Sequence, residues 1–251
     1  VSLPQRLIVE VANYFGVTQA QWLAPEASIQ TLADDASRLR AEFHADVGVR
    51  EVGIPLLVHR RCQEPMFGIS NRVAYDGQMV HAAGQPKPGP VARALGASGW
   101  IDVTASAQSK WCPAEGEAVI HLLNKLATAG VQEPDIYIIT PFRIVANELR
   151  RRIEHESGLF QRLGVDGDEW LRDRVGTFHT FQGKEAEAVI AVLGAPMVAQ
   201  QGARRWAAST PNIFNVMVSR AKQTIYVVGS RAAWSTVGHG RSVAGSLPPK
   251  T

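Results

Sequence analysis

Three runs in the second half of the chain restrict its fold more than any other feature. Ile136–Thr140, Ala188–Leu193 and Thr224–Gly229 are short and apolar almost throughout, without the in-and-out alternation of a half-exposed strand. Strands of that kind are covered on both faces, as in a parallel sheet between two layers of helices. Helical periodicity fills the intervals between them. Ala114–Ala129 places Ala118, Leu122, Leu126 and Ala129 on one face, a basic helix runs from Pro141 to about His155, and Pro211–Ala221 precedes the last run. Ile101–Ala105 and Arg174–Phe178 are further candidate strands. The alternation predicts an α/β domain with a mainly parallel sheet sandwiched by helices.

The first half is less regular. Leu3–Phe15 and Ser28–Leu39 have helical spacing, so residues 1–52 read as a helical lead-in and residues 53–251 as the main domain. Gly53–His59 is a candidate strand. Gly84–Gly99, rich in Pro, Gly and Ala, reads as a loop.

Composition excludes several classes. Of 251 residues 45% are apolar and 20% charged, a globular balance. The longest mostly apolar stretch, Ala188–Val198, is too short for a membrane span, which needs about 20 residues. No membrane association is expected. Two cysteines, Cys62 and Cys112, make neither a disulfide framework nor a zinc spacing, so a reducing, cytoplasmic setting is the expectation. The net charge of +3 hides an asymmetry: no Asp or Glu follows Glu187, and the last 64 residues carry +7 against −4 for the first 187. A basic terminal segment suits a polyanionic partner, nucleic acid or nucleotide phosphate, and equally a solvated basic face.

In an open parallel sheet, ligands bind at the carboxyl ends of strands. That directs attention to Thr140–Arg143, Thr177–Glu185 and Gly229–Arg231. The run Gly176–Glu185 superficially resembles a phosphate-binding loop, but six residues separate Gly176 from Gly183 where a P-loop has four, and an acid follows Lys184 in place of Ser or Thr. No other segment matches, and no acidic pair closes an apolar strand. By sequence this is not a complete P-loop ATPase, and the chain alone is expected to be inactive.

The same segment, Val175-Gly-Thr-Phe-His-Thr-Phe-Gln-Gly-Lys-Glu-Ala-Glu-Ala-Val-Ile, resembles motif V of superfamily 1 helicases, nearest to the nonsense-mediated-decay and Okazaki-fragment branch. Ile138-Ile-Thr-Pro-Phe-Arg143 resembles motif IV, and Asn215-Val-Met-Val-Ser-Arg-Ala-Lys222 resembles motif VI. Upstream, His59-Arg-Arg-Cys-Gln-Glu-Pro65, with Ile69-Ser-Asn71 and Tyr75, resembles the Tyr-Arg-x-His-Pro segment that opens the second motor domain. It departs from that pattern in having Arg60 before Arg61 and Gln63-Glu64 in place of His.

The resemblance spans about Pro55–Trp234 and implies a RecA-like, P-loop NTPase-type domain: the second motor domain of an ATP-dependent helicase that translocates on or unwinds nucleic acid. It implies Arg220 as an arginine finger and Arg61 (or Arg60) as a second γ-phosphate arginine. An arginine inserted against phosphoryl transfer is worth about 10³–10⁵ in rate. Glu185 would accept from the ATP ribose, Gln182 would relay nucleotide state, and Gly183 would let backbone approach phosphate, with Lys184 beside it. Thr140, Pro141, Phe142 and Arg143, with Thr177, His179 and Thr180, would contact single-stranded DNA or RNA. ATP and Mg²⁺ would be bound mainly by an upstream first motor domain, with Val1 lying just past motif III. Within this chain no metal ligands are expected. The competing reading is a non-catalytic nucleic-acid-binding or protein-docking module that keeps the helicase fold.

Overall fold

The computed structural model describes residues 5–16, 33–34, 36–45, 48–53, 55–181, 183–209 and 211–250. It divides into two compact units, Val1–Leu57 and Val58–Thr251.

In the first unit α1 covers Gln5–Tyr14, within the expected helix. Half of the second expected helix, Ser28–Leu39, lies outside the described residues. The purely helical reading of residues 1–52 requires correction: Ala41–Ala45 (β1) and Gly48–Val52 (β2) pair antiparallel, Phe43 opposite Arg50. Phe43 is buried within this unit. The pairing of two strands adjacent in sequence is a local event, but helical periodicity does not report it.

The second unit opens with Val58–His59 (β3), Met66–Ala74 (α2) and Val80–His81 (β4), the two short strands pairing in parallel with His59 opposite His81. Next come Pro90–Leu95 (α3), Gly99–Asp102 (β5), Pro113–Thr128 (α4), Ile136–Thr140 (β6) and Arg143–Glu154 (α5). Leu159–Leu163 (α6), Gly167–Arg174 (α7), Val175–Thr177 (β7) and Ala186–Val192 (β8) follow. A 3₁₀ turn, Val198–Gln200, leads into Gln201–Ala208 (α8), Pro211–Ser219 (α9), Ala221–Gly229 (β9), Arg231–Trp234 (α10) and Gly238–Ser246 (α11).

Five strands form one parallel sheet in the order β5-β9-β8-β6-β7. Every residue of β6 and β8 is buried, Thr140 and Glu187 included, in keeping with their largely apolar sequences. Helices flank the sheet, in a RecA-like α/β arrangement of the P-loop NTPase type. The core that joins them includes Leu123 and Leu126 of α4, Leu149 and Ile153 of α5, Phe214 and Met217 of α9, and Trp234. Two buried tryptophans satisfy their indole N–H groups on backbone carbonyls at strand ends: Trp100 donates to Gly229 (2.8 Å) and Trp234 to Gly194 (2.9 Å).

The Gly84–Gly99 segment contains a helix where a loop was expected. Pro90 at its first position is pre-set to helical φ, Val91 and Leu95 are buried, and Glu187 of β8 accepts from the Ala92 N–H at 2.7 Å. No described helix is long and apolar enough to cross a membrane.

Candidate functional site

Arg220, the residue that follows α9, is held by strand register. Ala186 opens β8 opposite Ala221, which opens β9, and the Ala186 N–H donates to the Arg220 carbonyl at 3.0 Å. Lys184, Glu185 and Arg220 therefore meet at the amino ends of two neighbouring strands. Arg220 is only 8% exposed and donates from one terminal nitrogen to the Lys184 carbonyl at 2.8 Å; among the described residues its buried Nε has no partner. Burial, and then the neighbouring Arg61 charge, lowers the Arg220 pKa from its ordinary value. An arginine nonetheless stays charged in a protein, so a buried, half-satisfied guanidinium favours an anion beside it.

The segment after β3 is fastened to the same place. The Gln63 N–H donates to the Lys222 carbonyl (2.9 Å) and the Cys62 thiol to that of Ser219 (3.4 Å). Burial pushes the Cys62 thiol up to about 12, which keeps it a neutral donor. Both backbone polar groups of Cys62 contact imidazoles: its N–H donates to His59 Nε2 and its carbonyl lies 2.9 Å from His81 Nε2. Held on its C-terminal side by Cys62, Arg61 reaches Glu185, Nε to Oε2 at 2.9 Å. Arg60, Arg61, Tyr75, Glu185, Asn215 and Arg220 line one open cavity of about 560 Å³, with Lys222 and Ser70 beside them. Ser70 donates to Asn215 Oδ1 at 2.5 Å, joining α2 to α9.

Gly183 has φ +85°, a left-handed conformation that a side chain would strain, although nothing lies within 4 Å of its would-be Cβ. That conformation adds a backbone reason for glycine to the phosphate approach expected from the sequence. Gln182 lies outside the described residues. Among the described residues no group of three or more His, Cys, Asp or Glu side chains converges as a metal site would require.

A second cavity, of about 590 Å³, lies where the carboxyl ends of β6 and β7 adjoin, with Thr140 opposite Thr177. Pro141, Phe142, Arg143, Thr177, Phe178 and His179 line it, with Lys110, Ile144, Ala203 and Trp206. Thr140 does not. It is fully buried, and its hydroxyl accepts from the Phe142 N–H at 3.3 Å, so it shapes the turn from beneath. Thr180 is exposed but outside the lining. Phe181 is core, against Tyr137 with ring centroids 4.4 Å apart, whereas Phe178 faces the groove.

The carboxyl-end rule therefore finds the groove but not the arginine pocket, which gathers at the amino ends of β8 and β9. The two are joined covalently: residues 178–185 lead from the groove end of β7 to the pocket end of β8. The third strand end, Gly229–Arg231, is structural. Arg231 donates to the carbonyls of Ala244 (2.5 Å) and Leu247 (2.8 Å), tying down α11. The Arg150–Arg152 run is also committed internally. Arg150 donates to the carbonyls of Leu171 and Val175, Arg151 pairs with Glu148, and Arg152 with Glu117 and Glu156.

Sequence reasoning passed over Lys110 and Lys222. Lys110 comes to the groove through the loop between β5 and α4, and no local pattern marks it. Lys222 stood inside the motif VI block, two residues beyond Arg220, as a signal that was available.

No curated protein matches the chain. A family model described as "AAA domain" matches residues 55–232, which span the pocket, the groove and the parallel sheet between them. With most of its length covered by that match, the chain belongs to the AAA domain family.

Proposed function

We propose that this chain is the second motor domain of an ATP-dependent superfamily 1 helicase, lending arginines to a nucleotide held against a P-loop-bearing first motor domain and forming part of a single-strand track. One observation carries the reading. Arg61, Glu185 and Arg220, distant in sequence, line one cavity, and the buried Arg220 Nε has no partner among the described residues.

Phosphoryl transfer accumulates charge on the equatorial oxygens of the transferred group. Arg220, fixed by the Lys184 carbonyl, presents its remaining N–H groups to that charge without reorganising. Arg61, now paired with Glu185, exchanges that carboxylate for phosphate, which frees Glu185 to accept from the ribose. Magnesium, held mainly by the other domain, would neutralise the same phosphates. The groove supplies Arg143 and Lys110 for strand phosphates, and the stretch 178–185 links strand binding to the state of the pocket.

ATP hydrolysis by the chain joined to a P-loop-bearing first motor domain, assayed with and without single-stranded DNA or RNA, tests this. Strand-stimulated turnover should fall by about 10³-fold or more in Arg220→Ala. Undiminished turnover in that variant would refute the arginine-finger role, and strand binding without any hydrolysis would favour a docking module.

A further inference from the structure

Trp206 is 54% exposed, although the helix that carries it is firmly seated. In α8, Arg204 is 4% exposed and donates from one terminal nitrogen to the carbonyls of Ala195 (2.6 Å) and Met197 (2.7 Å), while Ala207 and Ala208 are buried. The helix cannot readily turn its indole inward. Trp206 is thus presented to the groove on a rigid mount. Phe142 lies beside it, ring centroids 6.0 Å apart at 33°, and Phe142 is 6% exposed. Lys110 Nζ stands 5.6 Å from the centre of the Phe142 ring. Among the described residues that line this groove are Lys110, Arg143 and His179, and no carboxylate.

A flat aromatic surface left in water costs hydrophobic free energy, and cations ringed around it without a counter-charge mark the occupant as anionic. A peptide of either charge matches only part of that lining. A single strand of nucleic acid matches it all, with phosphates for Lys110 and Arg143 and an unstacked base for the indole. We infer that Trp206 is a base-stacking platform, and that Lys110 and Arg143 hold the phosphates flanking the stacked nucleotide. The inference rests on the reading of this groove as a single-strand track and adds what that reading lacks, a contact to the base itself. Stacking of this kind tolerates any base but requires one, and a duplex, whose bases are already stacked, cannot supply it.

The test is fluorescence anisotropy with the full chain and two labelled probes: oligothymidine, and a strand of equal length made of abasic deoxyribose phosphate. Trp206→Ala should weaken oligothymidine binding by about 5- to 100-fold and leave the abasic strand unaffected. Trp206→Phe, which keeps a ring, should restore most of the loss. Arg143→Ala should weaken both probes alike and lower the salt slope by about one. Equal weakening of both probes by Trp206→Ala, or no weakening beside a clear Arg143→Ala effect, would overturn the stacking role while leaving the track reading intact. Failure of both probes to bind the unaltered chain would overturn the track reading and the stacking role together.

Discussion

Arg61 Nε lies 2.9 Å from Glu185 Oε2, joining the segment after β3 to the start of β8 across the mouth of the arginine pocket. Both side chains stay partly in water, 39% and 45% exposed, so the pair contributes less than about 1 kcal/mol to stability. On the proposed reading its role is occupancy: the carboxylate would hold the Arg61 guanidinium in place until phosphate arrives. Glu185→Ala should lower the thermal midpoint by no more than about 4 °C, while weakening nucleotide binding by the chain joined to a first motor domain. Arg61→Ala should depress turnover further than Glu185→Ala. Calorimetry alongside steady-state kinetics checks both, and nucleotide affinity unaltered by Glu185→Ala would remove that residue from the site.

His59 ties the same segment to pH. Its Nε2 accepts the Cys62 N–H, which requires the neutral ring, and burial, then Arg61 and His81, lower its pKa below the ordinary 6.5. Below that value the unfolded chain takes up a proton that the folded chain refuses, so this contribution is intact above pH 6.5 and stability falls as pH decreases beneath it. His59→Gln keeps an acceptor without a titrating ring. Urea midpoints measured between neutral pH and about pH 5 should therefore fall less in His59→Gln than in the unaltered chain. Parallel falls would show that His59 does not carry this titration.

Glu115 titrates with the opposite sign. It is fully buried in α4, where one oxygen accepts the Gly194 N–H at 2.8 Å and the other has no partner among the described residues, and burial raises its pKa from the ordinary 4.5 to about 8. Between those values the unfolded chain is ionised and the folded chain protonated, so the stabilisation present at acid pH is lost as pH rises to about 8. Glu115→Gln should flatten the stability profile across that window, as read by chemical denaturation. Gly194 has φ +63° and packs near Lys110 and Phe142, so Glu115 also braces the wall of the groove. An unaltered slope in Glu115→Gln would exclude the buried acid as its source.

The main sheet was legible because β6 and β8 are buried on both faces and leave apolar runs that need no knowledge of neighbours. Arg220, Glu185 and the groove loops were reachable through motif resemblance. The resemblance also offered Arg61, with Arg60 as its alternative; that Arg61 is the one paired with Glu185 rests on long-range bonds from Cys62 to Ser219 and from Gln63 to Lys222, which no local pattern reports. Local signals were also passed over. Asp166 caps α7 by accepting the Glu169 N–H, and its Asp-x-x-Glu spacing announces a helix start. Pro90 after Gly89 marks α3 similarly, within a stretch whose Pro and Gly content suggested a loop. Trp206 stands among polar residues of Gln201–Ala208, and the burial of Arg204, Ala207 and Ala208 is what seats that segment as a fixed helix.

The central claim is that pocket and groove form one machine, linked through residues 178–185. Its most direct test is single-strand affinity of the chain joined to a P-loop-bearing first motor domain, measured with and without a non-hydrolysable ATP analogue. The analogue should shift that affinity by about 5- to 150-fold, and Arg220→Ala should abolish the shift without abolishing strand binding. Equal affinities in the presence and absence of the analogue would contradict the motor reading and leave a nucleic-acid-binding module in its place.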